Sequence, residues 1–130
     1  MAQAPKFETF SSPGGFIEQR YIGVQTPDSV SAAISELVKQ AKKLNARNKP
    51  VLILVDVSEV PKIDTSSKMS EARKDAVQAM TSSKYKRIAV YGNVSVQVLV
   101  NTLALIAGKR RKIRVFPNRV DALRWLKDGT

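Results

Sequence analysis

Val51-Leu52-Ile53-Leu54-Val55-Asp56 and, a few residues on, Pro61-Lys62-Ile63-Asp64-Thr65-Ser66-Ser67 form the stretch whose reading decides the fold. Five consecutive aliphatic residues, rich in β-branched types, suit a strand covered on both faces, as in a sheet with helices on either side. Asp56 closes that strand in this reading. Asp64, Thr65 and Ser66 then offer side-chain oxygens to the free N–H groups of a following helix, which carries Met69, Ala72, Ala76 and Met80 at helical spacing.

Outward from this core, the chain alternates strands with helices. Lys6 to Phe10 reads as a short strand, turned by Ser11-Ser12-Pro13-Gly14-Gly15 into an extended segment, Phe16 to Thr26, and the two form an antiparallel hairpin. Thr26-Pro27-Asp28 starts a helix with Val30, Ile34, Leu37, Ala41 and Leu44 on one stripe, ending near Asn48, before Pro50. Arg87 to Tyr91 is a buried strand and Gly92-Asn93 its turn. Val94 to Ala107 is a helix apolar nearly all round, stopped by Gly108. Ile113 to Phe116 is a further strand. Asn118, with Asp121 three residues on, opens a last helix expected to turn Val120, Leu123 and Leu126 inward with Trp125 at its margin. Such alternation means βαβ units and a largely parallel sheet, here with about four helices in one domain over residues 6–130, after a loose stretch at 1–5.

Composition narrows the chemistry. The 130 residues include no cysteine and no histidine, so a disulfide framework, a thiolate metal site and the usual general base are all missing. No cofactor is expected, and no enzymatic activity. Met1-Ala-Gln-Ala-Pro-Lys has no apolar signal core, and the Val94–Ala107 run falls short of the ~20 residues of a membrane span, which points to the cytoplasm. The net charge is +11, and residues 61–130 hold 15 basic against 5 acidic side chains. In a parallel sheet, the segments before strands meet at one end. Lys42, Lys43, Arg47 and Lys49, then Lys84, Lys86 and Arg87, then Lys109, Arg110, Arg111 and Lys112 should therefore make a basic pole opposite Asp64 and Ser66.

The run Leu54-Val55-Asp56-Val57 through Ile63-Asp64-Thr65-Ser66 resembles the strand and loop of the STAS family, the domain of sulfate transporters and anti-sigma-factor antagonists. Lys86-Arg-Ile-Ala-Val-Tyr-Gly-Asn, the apolar helix to Gly108, Ile113-Arg-Val-Phe and Asp121-Ala-Leu-Arg-Trp-Leu look still more like its SpoIIAA-like bacterial subgroup. The resemblance implies a mixed sheet of four or five strands. It also implies a regulatory or binding role, in which a kinase or anti-sigma factor engages the turn at Asp64, Thr65, Ser66 and Ser67 and phosphorylation of Ser66 throws the switch. The family glycine is Ser67 here, a departure that puts the switch in question because glycine permits closer approach of a partner.

Two other readings stand beside this one. The basic pole, through Lys84, Lys86, Arg87 and Lys109 to Lys112, suits phosphates of nucleic acid or of an anionic membrane, although cations at helix C-termini also serve stability and solubility. The subgroup's fold further resembles Sec14-type lipid carriers, and with the apolar helix Val94–Ala107 this suggests a carrier of an apolar small molecule or lipid. On residue chemistry alone, Ser66 is a plain helix cap, Asp56 and Asp64 are turn and cap residues with no third metal ligand or nucleophile beside them, and Tyr91 and Trp125 are packing residues.

Overall fold

Ile17, Ile53, Ile88 and Ile113 stand side by side, one on each of four parallel strands. Those strands are β2 (Ile17–Ile22), β3 (Leu52–Glu59), β4 (Arg87–Gly92) and β5 (Ile113–Phe116), and β1 (Lys6–Ser11) pairs antiparallel with β2 at the sheet's margin. The order is β1-β2-β3-β4-β5, so the aliphatic β3 is central and β1 and β5 are the edges. The computed structural model describes residues 5–11, 15–61, 66–81, 84–93 and 112–129. Of the N-terminal residues expected to be loose, only Pro5 is among them, and it is exposed.

Three helices are described: α1 (Pro27–Ala46), α2 (Ser67–Thr81) and α3 (Arg119–Asp128). The fourth expected helix, Val94 to Ala107, lies outside the described residues. Period-two alternation along β3 divides the core between the sheet's faces. Ile53 and Val57, with Ile17, Ile88, Val90 and Ile113, pack against Leu37 and Ala41 of α1. Leu54, with Ala89, Tyr91 and Phe16, packs against Ala122, Trp125 and Leu126 of α3 on the other side.

Local chemistry sets the helix ends. The Thr26 hydroxyl accepts from the Ser29 N–H at 3.1 Å while the Thr26 N–H donates to the Ser29 hydroxyl at 2.8 Å, a reciprocal cap that satisfies two otherwise free donors. At its other end α1 stops at Arg47, and Asn48 takes a left-handed φ of 56° before Pro50. Asn118 caps α3 by accepting the Asp121 N–H at 2.9 Å, as the sequence spacing indicates.

The structure corrects three readings and adds one buried polar residue that the sequence analysis did not single out. The extended segment after the first turn ends at Ile22, where Gly23 adopts φ 82°, rather than running to Thr26. The central strand does not close at Asp56 but runs on to Glu59, because Asp56 finds partners on both neighbouring strands. On α3, Val120 is 66% exposed and Trp125 only 3%, the reverse of the expected facing. Trp125 packs tilted on Phe116 at 5.6 Å between centroids, and burying the larger ring outweighs burying Val120. Gln19, a polar residue on β2, is fully buried: its amide nitrogen donates to the Ala33 carbonyl on α1 at 2.9 Å and to the Thr9 hydroxyl at 3.0 Å, tying helix to sheet.

Candidate functional site

Parallel strands send their C-terminal ends, and the loops after them, to one side of the sheet, where open α/β folds place their sites. The root of the loop after β3 is fastened from both neighbours: the Gly23 N–H donates to the Glu59 carbonyl at 2.9 Å, and the Asn93 side-chain amide to the Val60 carbonyl at 2.9 Å. Gly92 lets β4 lie close enough for this. A Cβ there would sit 2.4 Å from the Ser58 nitrogen, and the residue's φ is +127°.

From this root the chain reaches Ser66, the N-cap of α2. Its hydroxyl accepts from the Met69 N–H at 3.3 Å, and its carbonyl accepts from the Ser70 N–H at 3.0 Å. Ser66 and Ser67 are exposed, while Met69, one turn in, is 1% exposed and plugs the helix into the fold. The cap therefore presents its side chain outward on a firmly seated helix. Asp64 and Thr65 lie outside the described residues. Along α2, an open groove of about 400 Å³ separates it from α1, lined by Ile34, Val38, Ala72 and Ala76 with Ser31 and Asp75 at polar positions.

On the α3 face of the sheet, the structure assembles a polar network that sequence reasoning missed. Arg20, Asp56 and Tyr91 are register partners on β2, β3 and β4. The Arg119 guanidinium, at the start of α3, donates through both terminal nitrogens to the Glu18 carboxylate and also to the Tyr91 hydroxyl oxygen at 3.2 Å. The Tyr91 hydroxyl also lies near Asp56, its register partner on β3. The Ser58 N–H and hydroxyl donate to Asp56 at 2.8 and 2.6 Å, and Arg20 lies 3.3 Å from its other oxygen. Asp56 is thus a strand residue in an ion pair, not a turn residue, and Tyr91 carries a polar role besides its packing.

The network fixes charge rather than moving protons. Burial alone would raise the Asp56 carboxyl, but the hydrogen bonds from Ser58, the neighbouring Tyr91 hydroxyl and the Arg20 charge outweigh it and hold the carboxyl below the usual range. Burial chiefly pushes the Tyr91 hydroxyl up, with the nearby Asp56 charge adding to it. The Glu18 hydrogen bonds, then that of Tyr91, raise Arg119 further. At neutral pH Asp56, Tyr91 and Arg119 each stay in one form, which suits a clamp between α3 and the sheet and not a general acid or base. Glu18 and Arg20, two apart on β2 and so on one face, were the sequence signal; their partners lie too far along the chain to be paired by spacing.

The basic residues sit at the other end. Lys84 and Lys86 are exposed just before β4, the Arg87 guanidinium donates to the Leu126 carbonyl at the end of α3 at 3.0 Å, and the Lys112 ammonium lies 5.5 Å from the Tyr85 ring centroid before β5. Lys109, Arg110 and Arg111 fall outside the described residues. Among the described residues no group of three His, Cys, Asp or Glu is placed to hold a metal, and no helix is long and apolar enough to cross a membrane.

The family model for SpoIIAA-like proteins matches residues 16–127. A crystal structure of an uncharacterised protein with a SpoIIAA-like fold from Shewanella loihica PV-4 superposes with a TM-score of 0.65 at 16% identity, covering 97% of this chain and 98% of that one. No curated protein matches the sequence.

Proposed function

Because this chain belongs to the SpoIIAA-like family, we propose that it is a non-enzymatic regulatory domain of STAS type that engages a protein partner through the turn Asp64 to Ser67 and the helix it opens. The observation that carries this reading is the outward-facing Ser66 cap on a helix anchored by buried Met69, at the sheet end where strand C-termini converge. Family likeness supports a partner of the kinase or anti-sigma-factor kind.

A phosphate on Ser66 would meet the free N–H groups and the positive dipole end of α2, so modification need not unfold the domain. It would change the charge a partner meets instead. The groove beside Ala72 and Ala76 adds an apolar surface along the same helix that a partner side chain fits. The domain works in the cytoplasm in this reading. The test is capture of partners from the source cells by tagged wild-type, Ser66→Ala and Ser66→Asp chains. A partner held by wild-type and lost with Ser66→Asp supports the proposal, and an identical set with all three chains removes it.

A further inference from the structure

From the end of the molecule opposite Ser66, we infer that the protein docks on an anionic phospholipid surface through the face where its parallel strands begin. Three separate segments meet there: the end of α1 with Lys42, Lys43 and Lys49, the entry to β4 with Lys84 and Lys86, and the entry to β5 with Lys112. All six are exposed, and among the described residues none of them is in an ion pair. Among the described residues, Asp128 at the end of α3 sets an acidic side chain at this end, beside Lys127.

The arrangement selects a lipid surface over nucleic acid. The Arg87 bond to the Leu126 carbonyl places the end of α3, with exposed Lys127, beside the start of β4, while α1 ends on the sheet's other side, so the six lysines and Lys127 together lie at the end of all three layers. A broad face of lysine point charges meets a plane of phosphates, each charge attracted independently of sequence. The aromatic Tyr85 is 6% exposed beneath Lys112, so among the described residues of these three segments no exposed ring is offered to bases, and Phe10 alone does not make a row of stacking rings. Phe10, 41% exposed, is set one residue from the Ser11–Ile17–Ile53–Ile88–Ile113 row that begins the strands, and it offers this face an aromatic edge suited to the headgroup boundary.

The experiment is co-sedimentation of the full chain with phosphatidylcholine vesicles, with and without phosphatidylserine, at low and moderate salt. Binding is expected only to the anionic vesicles, weakening as salt screens the charges. Lys84→Glu/Lys86→Glu should lower partitioning by about 25-fold or more, at roughly fivefold per basic residue lost. Lys6→Glu/Lys68→Glu makes the same change in net charge at the opposite end and should lower it much less. Equal losses in the two variants, no binding to anionic vesicles at low salt, or binding to duplex DNA or single-stranded RNA in preference to vesicles would each overturn the inference.

Discussion

Arg119 grips Glu18 with both terminal nitrogens of its guanidinium, joining the first residue of α3 to a β2 residue 101 positions earlier. The Glu18 side chain is 6% exposed against 42% for Arg119, so the carboxylate is the buried partner and the guanidinium is its counter-charge. Removing either side should show this asymmetry. Arg119→Ala, which strands a buried carboxylate, is expected to cost about 2–4 kcal/mol, and Glu18→Gln about 1–2 kcal/mol. The double variant should cost less than the two singles together, by about 0.5–3 kcal/mol, in urea denaturation.

Gly92 closes the gap between β3 and β4 at the root of the Ser66 loop. Gly92→Ala would drive a Cβ into the Ser58 backbone from a φ of +127°, whereas a Cβ at Gly129, with φ +76°, meets the Arg87 side chain. The first collision is with backbone and the second with a flexible side chain. Gly92→Ala is therefore expected to lower stability by about 2 kcal/mol or more, and Gly129→Ala by about 1 kcal/mol, measured by thermal unfolding.

Asp56 gives the protein a defined acid response. Its carboxyl is held below the ordinary range in the folded chain and returns to about 3.9 on unfolding, so the network's contribution is fully present above about pH 4. It is lost as pH falls through the folded value. Asp56→Asn should lower stability at pH 7 by about 1–3 kcal/mol and show a flatter loss of stability below pH 4 in denaturation curves collected across that range.

Trp125 and Val120 provide a direct check of how α3 is rotated. Trp125→Ala is expected to cost about 3–5 kcal/mol, and Val120→Lys to stay within about 0.5 kcal/mol of wild-type by chemical denaturation. Two helical stripes were available in the sequence, one through Val120, Leu123 and Leu126 and one through Ala122, Trp125 and Leu126. The spacing alone does not separate them. Phe116, which meets the indole, and Ala122, which lets the helix lie close to the sheet, decide in favour of the second.

What could be read in advance follows the range of the interactions. Thr26-Pro27 and Asn118 are local signals and mark the starts of α1 and α3 in the structure. Ile53 and Leu54 identify a strand buried on both faces because aliphatic density needs no partner to be recognised. Ser66 was legible as a cap for the same reason, since the N–H it serves lies three residues away. Asp56 was misread as the end of its strand because its partners Arg20 and Tyr91 lie on other strands. The Glu18–Arg119 clamp could not be seen at all before the fold brought the two together.

Ser66 is the centre of the proposed function, and the most direct measurement separates its charge from its capping. Asn and Asp both cap helices, so Ser66→Asn and Ser66→Asp should leave thermal stability within about 0.5 kcal/mol of wild-type and of one another. Partner capture by the three tagged chains, read by quantitative mass spectrometry, then reports the charge alone. A protein retained by wild-type and Ser66→Asn and lost with Ser66→Asp is the expected result. Capture of the same proteins in the same amounts by Ser66→Asp would contradict it.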